Sequence, residues 1–132
     1  MKMPAGLILA MLVSMAAGTL VAHHGRGATY DMKTQVTLTG VVSEVAWRNP
    51  HVVIYMDVKE PDGTAVNWAF ENSSVGTLAR QGYNRNTVRV GQEITAVVNP
   101  SAQGAPRGIV VKVILAGGKE IMSRERGDNP VD

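Results

Sequence analysis

The segment Trp47-Arg48-Asn49-Pro50-His51 most limits what this chain can fold into, because it forces a change of direction between two apolar segments. Pro50 fixes its own φ and lacks an N–H donor, and it moves the preceding residue out of the helical region. The first apolar segment, Val36–Trp47, must therefore stop here, and the second begins at His51. An aromatic side chain, an amide and one of the three histidines of the chain meet at this reversal.

Alternating apolar residues predict strands on both sides of the reversal. Val36–Trp47 is rich in β-branched residues, and its alternation changes phase at Gly40, which indicates a bulge or bend inside one long strand. His51–Val58 alternates cleanly, and its even-numbered residues are expected in the core. They are Val52, Ile54, Met56 and Val58. After a Pro-Asp-Gly turn at residues 61–63, Ala65–Glu71 is the third predicted strand.

A short helix and two more strands complete the predicted domain. Ser73 or Ser74 can cap the helix, and Gly82 can end it. Glu93–Asn99 and Ile109–Leu115 read as the fourth and fifth strands. Three strands, a helix and two strands is the order of the five-stranded Greek-key barrel called the OB-fold, in which the helix plugs the barrel. We therefore predict an all-β, OB-like barrel with one short helix, and a small open meander sheet plus helix is the alternative.

The first 22 residues have the features of a secretory signal peptide. Lys2 precedes the apolar run Leu7–Ala17, and Ala22 is a small residue suited to cleavage. An uncleaved anchor is the alternative, since residues 5–22 are an uncharged run close to the length of a spanning helix. We predict a signal peptide at 1–22, an extended leader at 23–35, the barrel at 36–116 and a polar tail at 117–132. The mature protein would be periplasmic or secreted, with no stable membrane insertion.

Composition excludes several classes of function. The chain has no cysteine, which rules out disulfides, thiolate metal sites and cysteine nucleophiles. Without Lys2, 12 basic residues stand against 11 acidic residues. This near balance provides no basic surface for nucleic acid, so we expect no nucleic-acid partner.

Several segments of the chain also look familiar as a set. They are the pair His23-His24, LTGVVSEVAWRNPHVVIYMDV at 38–58, NWAFE at 67–71, LARQGY at 78–83 and VRVGQEITAVV at 88–98. Together they resemble a family of small exported bacterial proteins classed as a domain of unknown function. The resemblance implies an exported OB-like barrel and no settled activity. The chain departs from the family pattern at Gly25, where an aromatic residue often follows the histidine pair, and at Tyr83, where tryptophan is expected.

The histidines suggest a metal site. If cleavage exposes His23, its α-amine and imidazole can chelate one ion, and a third nitrogen from His24 or His51 gives a set that suits Cu(II). This set is similar to the histidine brace of copper proteins. The leader spans at most roughly 43–47 Å and the first strand about 40 Å, so His51 is within reach only if the leader is nearly extended or the strand bends. The alternative is that the pair is a disordered end and His51 bonds a backbone carbonyl.

A second candidate site is a ligand or partner surface made by Trp47, Asn49, Tyr55 and Trp68. The parity of Trp68 with Val66 and Phe70 favours the core for that residue. Together with Met56 and His51, Trp68 is similar to the His, Met and Trp set of periplasmic OB-fold copper chaperones, an analogy of fold alone.

We expect no enzymatic activity, because no nucleophile elbow, phosphate loop or His-Glu-x-x-His motif is present. Glu71, Arg80 and Arg85 are predicted to form a surface ion network. The predicted function is an exported, non-catalytic binding protein that holds Cu(II) at its N-terminal histidines, as a metal carrier or accessory subunit. The alternative is a metal-free module that binds an envelope protein or a small ligand through the Trp47 to Tyr55 surface.

Overall fold

The computed structural model describes residues 29–124. His23 and His24 lie outside these residues. The elements are β1 (Val36–Ala46), β2 (Val53–Lys59), β3 (Ala65–Glu71), α1 (Val75–Arg80), β4 (Glu93–Pro100), β5 (Arg107–Leu115) and β6 (Glu120–Ile121). The predicted order of three strands, a helix and two strands is confirmed. Between residues 29 and 124, the structure contains no helix with the length and apolar character needed to cross a membrane.

Strand pairing closes the sheet into a five-stranded barrel. The antiparallel neighbours follow the order β3-β2-β1-β4-β5-β6. A parallel pairing of β3 with β5, in which Ala69 lies opposite Arg107, joins the two sides of the barrel. This ring of five strands confirms the OB-like prediction and contradicts the open meander sheet.

Strand β1 is bent and pairs with a different strand on each side of the bend, as its change of phase predicts. Residues 36–41 pair with β4, and residues 40–46 pair with β2. The register shifts between Val42 and Glu44, so the bulge lies just after Gly40 in the chain. A Cβ atom at Gly40 would lie 2.2 Å from the carbonyl oxygen of Asp57. The glycine therefore allows β1 and β2 to approach closely at the bend.

The core is built from the faces that the alternation predicts. All four even-numbered residues from Val52 to Val58 are at most 5% exposed, and Phe70 and Leu78 are fully buried beside them. Trp68 is half-buried and packs against this core, with its ring centroid 6.0 Å from that of Phe70 and an angle of 19° between the planes. The core therefore includes Trp68 at its margin.

Residues 117–124 differ from the polar tail that the sequence indicates. β6 pairs antiparallel with β5, and Ile121 and Met122 are 3% and 1% exposed. The Met122 backbone N–H donates a 3.1 Å hydrogen bond to the Tyr83 hydroxyl. Two apolar residues within a polar stretch have no periodicity to identify them, yet they complete the core.

Candidate functional site

His51 and Glu71 form the centre of the candidate site. His51 precedes β2 and Glu71 ends β3, and the pairing of Val53 with Glu71 brings these strand ends together. The imidazole Nδ1 lies 3.0 Å from Glu71 Oε1, and the two side chains are 34% and 18% exposed. Because an ionised carboxylate can only accept, Nδ1 carries the hydrogen of this bond, and in the neutral form of the ring the lone pair is then on Nε2.

Tyr30 brings the leader to the same carboxylate. Its hydroxyl donates a 2.5 Å hydrogen bond to Glu71 Oε2, so Glu71 accepts from His51 on one oxygen and from Tyr30 on the other. The tyrosine is 2% exposed, and its backbone forms a β-bridge with Ser101. The Asp31 N–H also donates to the carbonyl of Pro100 at 2.8 Å. The leader is therefore attached beside the end of β4.

Arg107 packs over the ring of Tyr30. Its guanidinium carbon lies 5.7 Å from the Tyr30 ring centroid, and a guanidinium nitrogen is 3.4 Å from the hydroxyl. Burial and the hydrogen bond to Glu71 raise the pKa of Tyr30 above its usual value, and Arg107 partly opposes that rise. Tyr30 therefore remains protonated at neutral pH and keeps the hydrogen that it donates to Glu71.

A groove of about 420 Å³ lies beside the hydrogen-bonded side chains of Tyr30, Glu71 and Arg107. Val53, Tyr55 and Ala69 form its floor on the outer face of β2 and β3, because they alternate with core residues. Tyr30 and Arg107 stand at its walls, together with Glu71 and the segment 105–106. Its volume is within the range of small-molecule sites.

The four residues predicted to share one binding surface are separated in the structure. Tyr55 lines the groove beside Glu71, and Trp47 lines a different pocket next to Arg85. Asn49 supports the helix, because its Oδ1 accepts a 3.1 Å hydrogen bond from the Val75 N–H at the start of α1. Trp68 packs on the core. The expected continuous Trp47 to Tyr55 surface is thus divided between two pockets.

The predicted ion network of Glu71, Arg80 and Arg85 is wrong. Glu71 contacts His51 and Tyr30, whereas Arg80 donates to the Thr77 hydroxyl within α1 at 3.2 Å. The spacing along the chain could not reveal this, because the contacts of Glu71 depend on where the leader crosses the barrel.

Tyr30 and Arg107 were missed as site residues by sequence reasoning. Tyr30 lies in a leader without periodicity, and Arg107 follows a loop that contains two prolines and Gly104. One signal was present: Tyr30 is the single aromatic residue between positions 23 and 46. An isolated aromatic residue in a polar segment indicates an attachment point to the domain.

Within residues 29–124, no group of three or more histidine, aspartate or glutamate side chains is placed to hold a metal ion. Of the three histidines predicted as metal ligands, His51 is the one that the structure describes. Glu71 orients its ring.

Comparison with known proteins identifies the family of the chain. The family model DUF6152, described as a family of unknown function, matches residues 10–111. No curated protein and no solved structure matches the chain. Because the match covers more than half of the 132 residues, the chain belongs to the DUF6152 family of unknown function.

Proposed function

We propose that this protein is an exported, non-catalytic binding protein that carries Cu(II) at a site formed by its mature N-terminus and His51. The observation that supports this proposal most directly is the shared carboxylate of Glu71, which accepts from His51 and from Tyr30. Tyr30 lies seven residues after His23 in the chain. Tyr30, where the leader contacts the barrel, is therefore joined to the proposed ligand His51 through the single side chain of Glu71.

The length of the leader no longer limits this site. From sequence alone, the leader had to run back along the whole of β1 to approach His51. Its attachment at Tyr30 leaves only the segment from His23 to Tyr30 to reach the site, and this segment spans up to roughly 23–25 Å. The α-amine and imidazole of His23 are then within reach of the His51 ring without full extension.

The surroundings of His51 suit a metal ligand. Metal-bound histidines generally donate their other ring N–H to a carboxylate, a backbone carbonyl or water, which fixes the tautomer and raises ligand basicity. Glu71 accepts this hydrogen bond from His51. Cu(II) at Nε2 would replace any contact that this nitrogen makes in the metal-free protein. The amine and imidazole of His23 with His51 Nε2 form a three-nitrogen set that favours Cu(II), and His24 is the alternative third ligand. Such a protein would serve as a metal carrier or accessory subunit.

The test is isothermal titration of Cu(II) into protein that begins at His23. A matched form with one additional glycine before His23 keeps every side chain but removes the terminal amine from the chelate. We expect one equivalent to bind to the first form and at least about tenfold weaker binding to the second. Equal affinity in both forms would remove the amine from the site, and an absence of binding in both would refute the copper proposal.

Two variants locate the third ligand. His51→Ala should weaken Cu(II) binding if His51 is the ligand, and His24→Ala should do so if that residue takes its place. Glu71→Gln should weaken binding by about 10–100-fold, because it removes the orienting charge. Glu93→Gln, on the exposed start of β4, is the matched control and should have no effect. Mass spectrometry of the exported protein establishes whether His23 is the first residue.

A metal-free ligand-binding protein is the second candidate, and the groove beside Tyr55 supports it. Its volume of about 420 Å³ and its mixed apolar and charged walls are suited to a small molecule. Two results together would favour this function. Neither N-terminal form would bind Cu(II), and the protein would show saturable binding of a small ligand that Tyr55→Ala abolishes.

A further inference from the structure

A second pocket, of about 430 Å³, lies between the end of β1 and the loop before β4. Val45 and Trp47 line it from β1 and the reversal, and residues 85–86 and 88–90 line it from the loop. It shares no lining residue with the groove beside Tyr30. The pocket is therefore a separate feature of the barrel, and the copper proposal does not involve it.

The charge of this pocket is entirely positive. Arg85 and Arg89 line it, and its lining contains no carboxylate. Among the residues that the structure describes, neither arginine forms an ion pair with a carboxylate. Two arginines thus line one concave surface that has no carboxylate in its lining, an arrangement that attracts anions.

The loop that carries these arginines is fixed to the barrel. Val88 is 2% exposed and anchors the loop in the core. Gly91 N–H donates to the Val42 carbonyl at 2.8 Å, and Val42 N–H donates to the Gln92 carbonyl at 2.9 Å. The Arg89 N–H donates to Gln92 Oε1 at 3.1 Å. The backbone at Arg89 is therefore preorganised, which reduces the entropy lost when a ligand binds.

The first half of the loop is fixed by a tight turn around Arg85. Asn84 Oδ1 accepts from the Asn86 N–H at 2.9 Å. The Asn84 N–H donates to the Thr87 hydroxyl at 2.9 Å, and the Thr87 N–H donates to the Asn84 carbonyl at 2.9 Å. The Arg89 Nε also donates to the Asn86 carbonyl at 3.4 Å. This contact directs the Arg89 side chain back along the loop towards Arg85.

Apart from Asn86, the remaining residues that line the pocket are apolar. Trp47 is half-buried, and Val90, at the rim, is 66% exposed. A tryptophan face and an exposed aliphatic side chain beside two guanidinium groups suit a ligand with a flat or apolar body and an anionic group. We propose that this pocket binds a small organic anion, whose carboxylate or phosphate contacts Arg85 and Arg89 while its body packs against Trp47 and Val90.

The test is an NMR titration with amide shifts as the readout, at constant ionic strength. The probes are phenyl phosphate, benzoate, inorganic phosphate and the neutral benzyl alcohol. We expect saturable shifts at residues 45–47 and 85–90 with phenyl phosphate or benzoate, and at least about tenfold weaker binding of benzyl alcohol and inorganic phosphate. The comparison of phenyl phosphate with benzoate identifies the preferred anionic group. Unsaturable shifts with both, or equal binding of benzyl alcohol, would overturn the proposal.

Matched variants test the two arginines. Arg85→Gln with Arg89→Gln should weaken binding of the preferred anion at least about tenfold. Lys59→Gln with Lys119→Gln removes the same charge from exposed positions outside the pocket and should leave binding unchanged. Val90→Asp adds a negative charge at the rim and should also weaken binding. Equal losses in the arginine and lysine pairs would show a general charge effect and refute the proposed site.

Discussion

Tyr30 and Glu71 are 41 residues apart in the chain, and the Tyr30 hydroxyl donates a 2.5 Å hydrogen bond to the Glu71 carboxylate. This bond joins the leader to the end of β3, where His51 also contacts Glu71. Tyr30 is therefore part of the site, and not merely a connection to the barrel.

Tyr30→Phe should lower the free energy of unfolding by about 1–2 kcal/mol, because it leaves one oxygen of a largely buried carboxylate without its charge-assisted hydrogen bond. Urea denaturation measures the change. Tyr55→Phe, in the same groove, is the matched control and should change the stability by less than about 0.5 kcal/mol. Equal stabilities of the Tyr30→Phe variant and the parent protein would mean that the hydrogen bond contributes nothing.

The same tyrosine predicts a loss of stability at alkaline pH. The folded protein raises the pKa of Tyr30 above its ordinary value of 10.0, chiefly by burial and then by the bond to Glu71. The unfolded chain therefore releases this proton at a lower pH than the folded protein does. The contribution is complete below the unfolded pKa and decreases as pH rises through the folded pKa. The stability difference between the parent and Tyr30→Phe should be constant from about pH 7 to about pH 9 and should shrink above that range. If the stability difference between the two proteins does not change with pH, the raised pKa of Tyr30 is contradicted.

Local patterns were sufficient to predict the barrel. Alternation in residues 51–58 identified the buried face of β2, and the change of phase at Gly40 identified the bend in β1. Both signals arise from neighbouring residues along one strand. The order of elements then left few ways to close the sheet, so the fold was accessible from the sequence.

The site depends on contacts that no local pattern records. Nothing near Tyr30 in the sequence indicates that it bonds Glu71, and nothing near Asn49 indicates that it accepts from Val75. An amide at a chain reversal could equally bind a ligand or support a helix. Only the position of α1 against the reversal distinguishes the two roles.

Gly40→Ala should destabilise the protein by at least about 2 kcal/mol, because the new Cβ would lie 2.2 Å from the Asp57 carbonyl oxygen and would force β1 and β2 apart. Gly76→Ala is the control. It lies in α1, where an added Cβ meets nothing closer than 3.5 Å, and alanine should stabilise the helix by roughly 0.5–1 kcal/mol. Thermal unfolding of both variants measures the contrast. Tolerance of Gly40→Ala would mean that the bend can relax.

Asn49→Ala should destabilise the protein by about 1 kcal/mol, the usual effect of losing an acceptor at a helix start. The Val75 N–H loses its 3.1 Å bond to Asn49 Oδ1, while Ser74 continues to cap the Thr77 N–H. The neighbouring exposed residue provides the control, and Arg48→Ala should be nearly neutral. If Asn49→Ala instead leaves stability intact and abolishes ligand binding, the residue is part of a binding surface after all.

Met122→Ala should cost about 2–5 kcal/mol, because Met122 is 1% exposed and its loss leaves a cavity in the core. Its sulfur also accepts a 3.2 Å contact from the Asn72 amide. Met122→Leu nearly conserves volume and should lose less than about 1.5 kcal/mol. Denaturant unfolding compares the two variants. A small effect of Met122→Ala would mean that residues after β5 behave as the polar tail suggested by their composition. If Met122→Ala loses much stability and Met122→Leu loses little, cavity formation accounts for the loss, since both variants lack the sulfur contact. The stable domain would then extend past β6.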